Sequence, residues 1–162
     1  MDKDTMRMLF TAIVRPHLEF ANVVWYPKYK KEESMVEKVQ ERATKCVPGM
    51  KTLSYEERLR AMNLPSLKFR RKRGDLIEAY KFTHDYYNVN KNLLKFDQNR
   101  QLRGHDLKLE KRSCNLNVRQ KFFSYRIVNQ WNQLPSSVVN APSVDTFKAR
   151  LDRHLKDEIY CV

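Results

Sequence analysis

Ser34-Met35-Val36-Glu37-Lys38-Val39-Gln40-Glu41-Arg42-Ala43-Thr44-Lys45-Cys46-Val47 is the stretch that decides the fold class of this chain. Its apolar residues recur at helical spacing, and Ser34 with Glu37 forms the Ser-x-x-Glu pattern of a helix N-terminus. The pattern predicts a helix that begins near Ser34, or earlier at Lys31, and ends at Pro48-Gly49. We expect its buried stripe to consist of Met35, Val36, Val39, Ala43, Cys46 and Val47.

Further helical patterns flank this one on both sides. An apolar face over residues 4–15 predicts a helix that Pro16 should kink or restart, with a continuation to Trp25. Ser54-x-x-Glu57 is a second capping box, and it opens a short helix through Met62. Later helices are predicted over 66–84, around Leu93-Leu94, over 119–133, and from Ser143 onwards. The sequence therefore predicts a mainly α fold, a compact helical domain of about six to eight helices.

The region between the helical halves is less regular. Residues 102–118 alternate weakly between polar and apolar, which is compatible with one short β-hairpin. The resulting organisation is a helical bundle over 1–84, a basic loop or hairpin over 85–118, and C-terminal helices over 119–162 that pack on the first part. These segments form either a single domain or two subdomains.

Positive charge is the strongest compositional signal, because the formal net charge of the 162 residues is +13. Residues 51–81 carry 9 basic and 4 acidic side chains, and residues 100–126 carry 8 and 2. Nearly all of the excess therefore sits in two blocks, which indicates an acidic partner or surface.

The first basic block has three readings. Five cations within six consecutive positions cannot share one face of a helix with 3.6 residues per turn. The block could be a solvated face with snorkelling stems, a nuclear-localisation tract, or a ridge that follows phosphates. Its candidate contact residues are Arg58, Lys68, Arg70, Arg71, Lys72 and Arg73.

The second basic block combines cations with aromatic residues. Core packing is the favoured interpretation of Phe122, Phe123 and Trp131, and base stacking is the alternative. His105 is read more readily as a hydrogen-bonding turn residue than as a proton-transfer group. The candidate contact residues of this block are Arg103, His105, Lys108, Lys111, Arg112, Arg119, Lys121 and Arg126.

Signals of catalysis are missing from the sequence. There is no Asp-Asp pair of the kind that holds the two metal ions of a polymerase. The four histidines and three cysteines lack metal-ligand spacing, and no phosphate-binding loop or nucleophile elbow occurs. We therefore expect no catalytic site, metal or cofactor. We also expect no membrane span and an intracellular, nuclear or cytoplasmic location, since the cysteines suggest no disulfide framework.

Several spaced motifs resemble a known family. Val14-Arg15-Pro16-His17-Leu18-Glu19-Phe20 with Trp25 and Pro27 is followed by the 34–45 helix. Arg103-Gly104-His105-x-x-Lys108-Leu109 then precedes a basic aromatic helix that ends in Trp131-Asn132-x-Leu134-Pro135. This order resembles the region after the polymerase core in reverse transcriptases of non-LTR, LINE-type (Jockey-like) retrotransposons.

The resemblance implies a thumb-and-tail region that helps to hold RNA, DNA or an RNA–DNA hybrid. None of the family's catalytic carboxylates maps onto this chain, so the resemblance implies no polymerase activity. The chain looks like a fragment, a decayed copy, a short gene model or a host-adopted remnant, and the missing polymerase core is a further candidate partner.

Two functions therefore compete at the level of sequence. The first is a sequence-nonspecific nucleic-acid-binding module that acts through the two basic blocks. The alternative is a helical protein-interaction module with a basic face for an acidic partner. In that case Met6, Phe10 and Ile13 would form an uncovered apolar seam that docks a partner or a second copy.

Overall fold

The computed structural model describes residues 2–27, 29–88, 93–98 and 104–162. Within these ranges the chain forms nine α-helical segments and no β-strand. A π-helical turn joins the first two segments into one helix, so the predicted mainly α class with six to eight helices is confirmed. The segments are α1 (Lys3–Leu9), α2 (Arg15–Glu19), α3 (Lys30–Lys45), α4 (Tyr55–Ala61), α5 (Leu67–Thr83), α6 (Asn117–Gln120), α7 (Phe123–Asn132), α8 (Ser136–Val139) and α9 (Val144–His154).

Contacts divide the chain into two compact units. Unit 1 comprises Met1–Lys72 and Asp157–Val162, and unit 2 comprises Arg73–Lys156. The boundary lies inside α5, whereas the sequence-based organisation divided the chain at residues 84 and 118. No change of composition marks this boundary, because the Lys/Arg run continues across it from Lys72 to Arg73.

The N-terminal helix accommodates Pro16 through a local change of helix type. Residues Phe10–Val14 form a π turn, in which the Arg15 N–H donates to the Phe10 carbonyl. Pro16 then lies in the first turn of α2, where its missing N–H needs no partner. The chain therefore stays helical through Pro16, with a π turn in place of the predicted kink or restart, and the helix ends at Glu19 and does not continue to Trp25.

Helix α3 begins earlier than its capping-box pattern predicts, and it buries a different face. Its N-cap is Tyr29, whose N–H donates to the Glu32 carboxylate at 3.1 Å. The predicted apolar stripe is wrong for three of its six members, since Met35 is 59% exposed and Val39 and Cys46 are also exposed, whereas Val36 and Ala43 are half-buried and Val47 is buried. The buried residues of this helix are polar: Glu37, Gln40 and Thr44.

Each of these polar side chains makes hydrogen bonds inside unit 1. Glu37 accepts from the backbone N–H of Leu67 at 3.1 Å and of Lys68 at 3.2 Å, and from the Tyr55 hydroxyl at 2.7 Å. Glu37 thus caps α5 and not its own helix. Gln40 donates to the Pro65 carbonyl at 3.0 Å, so this face of α3 fixes the point at which α5 begins.

Apolar packing completes each unit. In unit 1 the buried cluster contains Met6, Phe10, Val47, Met50, Leu59, Met62 and Leu64. In unit 2 Tyr80 stacks on Phe147 with ring centroids 4.3 Å apart, and its hydroxyl donates to the Ala141 carbonyl at 2.6 Å. Trp131, which is fully buried, lies 6.1 Å from Phe147 between ring centroids.

The predicted hairpin around 102–118 is not found in its described part, residues 104–118. Leu109 instead forms an isolated antiparallel bridge with Phe96, supported by Asp97 N–H to Lys108 C=O and Glu110 N–H to Lys95 C=O, both 2.8 Å. On its other side, Leu109 exchanges two 2.8 Å hydrogen bonds with the Asn132 side chain. These bonds take up the backbone groups that a hairpin ladder needs. The predicted helix around Leu93-Leu94 is also absent from residues 93–98.

Gly74 offers a direct test of the helical interior of α5. It lies inside Leu67–Thr83, and a Cβ built there meets no heavy atom within 4 Å. We expect Gly74→Ala to raise the free energy of unfolding by about 0.5–1 kcal/mol, because alanine restricts the unfolded chain and favours the helix. Urea unfolding followed by circular dichroism measures this change, and a destabilised variant would contradict a continuous helix at Gly74.

Candidate nucleic-acid interface

Arg58, the first cation of the N-terminal basic block, is buried and hydrogen-bonded inside unit 1. It is 2% exposed, and its Nε donates to the Thr44 hydroxyl at 3.1 Å. Its Nη1 donates to the Leu53 carbonyl at 2.5 Å, and its Nη2 lies 3.6 Å from a Glu41 carboxylate oxygen. This guanidinium therefore stabilises the packing of α4 against α3 and has little surface to offer to a ligand.

Three cations on α5 are paired with carboxylates from distant parts of the sequence. Arg70 makes a bidentate pair with Glu19, with an Nη2–Oε2 distance of 2.7 Å. Lys72 lies 2.6 Å from Glu158 within unit 1. Within unit 2, Arg73 pairs with both carboxylate oxygens of Asp152, at 2.5 and 2.9 Å. Much of the charge of this block is therefore neutralised inside the fold.

We call the cations from Lys68 to Arg73 the α5 run. Its remaining two members have opposite environments. Lys68 is exposed, whereas Arg71 is 1% exposed. Phe69, which lies between Lys68 and Arg70, is buried as well, and residues two apart lie on nearly opposite sides of a helix, so the start of α5 is covered on more than one side.

The second block is also divided between interior and surface. Arg103 lies outside the described residues, and Lys108 and Arg112 are half-buried. His105 is 3% exposed, and its Nε2 donates to the Trp131 carbonyl at 3.1 Å. Arg126 forms a buried bidentate pair with Asp75, at 2.7 and 2.8 Å. Removing one member of such a pair leaves an uncompensated buried charge. The main role of Arg126 is therefore to stabilise unit 2.

The exposed cations of the second block lie around the short helix α6. Lys111, Arg119 and Lys121 are exposed, and none of them forms an ion pair within the described ranges. Phe122 follows Lys121 directly and is 55% exposed, whereas the neighbouring Phe123 is 5% exposed. We call these four residues, Lys111, Arg119, Lys121 and Phe122, the α6 surface.

A groove of about 390 Å³ adjoins the α6 surface. Lys111, Arg112 and Gln120 line it together with the Tyr125 ring, and the Arg119 guanidinium lies 5.5 Å from the centre of that ring. The sequence contains no acidic residue between Glu110 and Asp145, so no carboxylate of this segment opposes the cations. The groove can therefore accept an anionic chain next to an aromatic ring.

Two of the motifs that carry the family resemblance hold each other in unit 2. Besides the His105–Trp131 bond, the Trp131 indole N–H donates to the Leu107 carbonyl at 2.7 Å. Asn132 binds both backbone groups of Leu109. The Gly104–Leu109 segment is thus anchored to the C-terminal end of α7, which gives both motifs a packing role.

Comparisons with protein-family models, with curated proteins and with solved structures find no match to this chain. Within the described ranges, no cluster of three or more His, Cys, Asp or Glu side chains could hold a metal ion. No helix in these ranges is both long and apolar enough to cross a membrane.

Sequence reasoning did not identify three residues that organise these surfaces. Asn132 was noted only as part of a motif, without a role. Glu37 was predicted to cap α3, whereas it caps α5, and Phe122 was predicted to lie in the core. The one available signal for Phe122 was its position beside Lys121 within a carboxylate-free segment. The helix start at Phe123, which turns Phe122 outward, was not predictable to one residue.

His105 makes the stability of the chain pH-dependent. Burial lowers the pKa of its imidazole below the usual 6.5, so the folded protein binds the proton less readily than the unfolded chain. The stabilising contribution of the neutral ring is present above about pH 6.5 and is lost as the pH falls through the lower folded pKa. We expect the free energy of unfolding to decrease between pH 7.5 and 5.5, as measured by urea titrations.

His105→Gln is the matched variant, because glutamine keeps an N–H donor but does not titrate. The other three histidines remain in both proteins. The pH dependence should therefore be shallower in the variant, and equal slopes would exclude His105 as the source.

Proposed function

We propose that this chain is a sequence-nonspecific nucleic-acid-binding module that binds single-stranded RNA or the RNA–DNA hybrid of a reverse-transcription complex. The α6 surface contacts the phosphates, and Phe122 stacks on a base. The observation that carries the proposal is the exposed Phe122 directly after Lys121, in one segment with Lys111 and Arg119, three cations that have no carboxylate partner in the described residues. The resemblance to the tail region of non-LTR reverse transcriptases supports the same partner.

Electrostatics favour the α6 surface over the α5 run. An ammonium or guanidinium that already pairs with a carboxylate must give up that pair before it can bind a phosphate. Arg70, Lys72 and Arg73 are all in this position. Lys111, Arg119 and Lys121 lose only water and counterions, and the release of condensed counterions from the nucleic acid drives binding.

The aromatic residue adds a contact that charge alone does not provide. Phe122 is 55% exposed, and contact between its apolar ring and water is unfavourable for the folded chain. Single-stranded nucleic acids recover that surface by stacking bases on it, independently of sequence, because every base has a π-face. The module therefore binds without base readout and contributes affinity to a larger assembly, and it has no catalytic chemistry of its own.

The triple variant Lys111→Ala/Arg119→Ala/Lys121→Ala tests the electrostatic part. We expect its affinity for a short single-stranded RNA at low salt to fall by at least about fivefold. The slope of log K against log salt should become shallower by about 2, since each single-strand phosphate contact contributes roughly 0.7. Fluorescence anisotropy between 50 and 200 mM salt measures both quantities.

A control of equal charge is available in unit 1. Lys31, Arg42 and Lys51 are exposed, and no ion pair involves them within the described residues. The variant Lys31→Ala/Arg42→Ala/Lys51→Ala therefore lowers the net charge by the same three units. If it weakened binding as strongly as the α6 variant does, the interaction would depend on overall charge and not on the α6 surface.

The pair Phe122→Ala and Phe123→Ala separates stacking from packing. Loss of one stacking platform is worth about 1–3 kcal/mol of binding free energy, so Phe122→Ala should weaken RNA binding with little change in stability. Phe123→Ala should lower the free energy of unfolding by about 3–5 kcal/mol, because its ring is buried. Anisotropy and urea unfolding on both variants provide the two readouts, and unchanged RNA affinity in Phe122→Ala would remove the stacking contact from the proposal.

A helical protein-interaction module is the second candidate function, and the surface of α1 and α3 favours it. Of the seam expected from sequence, Met6 and Phe10 are buried, but Ile13 is 59% exposed. Leu9, Val39 and Met35 add exposed apolar surface on the same two helices. Gel filtration with and without short RNA separates the two functions. The binding module co-elutes with RNA at low salt, and the interaction module self-associates without it.

A further inference from the structure

Unit 1 contains a cavity of about 400 Å³ whose wall includes the buried Arg71. This guanidinium is 1% exposed, and its Nε, Nη1 and Nη2 all lack a hydrogen-bond partner in the described structure. Buried guanidinium groups are normally paired, because withdrawing a charge from water without a partner is highly unfavourable. Arg71 is therefore a candidate contact for an anion.

The carboxylates around this cavity are already engaged elsewhere. Glu37 accepts the two backbone N–H groups at the start of α5 and the Tyr55 hydroxyl. Glu41 lies 2.8 Å from the Lys45 ammonium and also pairs with Arg58, and Glu33 accepts from the Tyr26 hydroxyl. None of these three groups forms a hydrogen bond with the Arg71 guanidinium within the described ranges. The N-terminus of α5 likewise contributes no vacant site, since Glu37 already caps it.

Three ammonium groups reinforce the positive character of the cavity. Lys30, Lys38 and Lys68 line it, and none of them forms an ion pair within the residues that the structure describes. Together with Arg71 they place four formal positive charges around a space that the carboxylates of Glu33, Glu37 and Glu41 also line, so the cations exceed these carboxylates by one. Arginine offers a planar fork for two oxygens of one anion, and lysines act as mobile point charges around it.

We propose that this cavity binds a phosphate monoester through Arg71, with Lys30, Lys38 and Lys68 around its entrance. A doubly charged phosphate has enough acceptor oxygens for the guanidinium fork and for a lysine at the same time. The cavity falls in the size range of small-molecule sites and exceeds the space that inorganic phosphate needs, so the phosphate carries an organic group.

Two sources supply this chemistry, a free nucleotide and the 5′-phosphate end of a nucleic-acid strand. The second source rests on the proposed function, whereas the first does not. The site is distinct from the α6 surface, because every residue that lines it belongs to unit 1.

The test is calorimetric titration of the full chain at low salt with four probes: inorganic phosphate, AMP, and a short RNA with and without a 5′-phosphate. We expect AMP to bind more tightly than inorganic phosphate. If the strand end is the physiological source, the phosphorylated RNA should bind more tightly than its unphosphorylated counterpart. If a free nucleotide is the source, the two RNAs should bind equally while AMP binding remains.

Arg71→Met is the decisive variant, because methionine fills similar space and removes the unpaired charge without leaving another buried charge behind. It should weaken AMP binding by at least about tenfold, the equivalent of one charge-assisted hydrogen bond. Lys68→Ala, at an exposed position, should weaken it by roughly two- to fivefold and leaves the buried wall intact. Lys51→Ala, exposed and outside the cavity lining, is the control and should have no effect.

Failure of all four probes to bind would overturn the proposal, and so would AMP affinity that Arg71→Met and Lys68→Ala leave unchanged. The α6 triple variant separates this inference from the proposed function. If that variant lost RNA binding but kept AMP binding, both sites would stand. If it lost AMP binding while Arg71→Met kept it, the phosphate would bind at the α6 surface and the cavity would be excluded.

Discussion

The carboxylate of Glu37 is the constraint on which the arrangement of unit 1 depends. It lies on α3, accepts the hydroxyl of Tyr55 on α4, and caps the first two amides of α5. Hydrogen bonds to a charged acceptor contribute about 1.5–3 kcal/mol each, and a negative group also complements the positive end of the α5 dipole. One side chain thereby fixes the starting point of α5, the helix that buries Phe69 and Arg71 and exposes Lys68.

The same contact changes the chemistry of Tyr55. Burial and the adjacent Glu37 carboxylate raise the pKa of its phenol far above the usual value of 10. The folded chain therefore resists ionisation of this tyrosine, and the stability that its neutral form provides is present below about pH 10 and is lost at higher pH. The polar face of α3 consequently makes unit 1 sensitive to alkali, while His105 makes unit 2 sensitive to acid.

Helix existence was predictable from sequence wherever a local cap and the apolar period agreed. Ser54 and Ser143 cap α4 and α9 through their own side chains, as their positions indicate. The capping-box pattern at Ser34 was misleading because its glutamate reaches a different helix, and a local motif cannot report a long-range acceptor. The buried face of α3 was mispredicted for the same reason. Apolar periodicity assumes an apolar interior, whereas Glu37, Gln40 and Thr44 are buried with hydrogen-bond partners.

The candidate site was less predictable than the fold. Charge arithmetic located both basic blocks, but the carboxylates that pair with Arg70, Lys72 and Arg73 lie 51, 86 and 79 residues away in sequence. Only the tertiary structure brings such partners together. Phe122 and Phe123 are chemically identical neighbours, and their opposite exposure follows from the residue at which α7 begins. From the sequence a nucleic-acid partner stays a prediction, and the surface that would meet it was not predictable at all.

The ion pairs of the α5 run also bear on how other molecules could recognise it. A short Lys/Arg tract of this kind can act as a nuclear-localisation signal, and a receptor that binds it as an extended peptide needs unpaired side chains and a non-helical backbone. Between Lys68 and Lys72 this tract is helical, and two of its cations are held by Glu19 and Glu158 within unit 1. If this run serves as a nuclear-localisation tract, such a receptor would have to unwind the start of α5, so the folded chain would conceal the tract and a partly unfolded chain would display it.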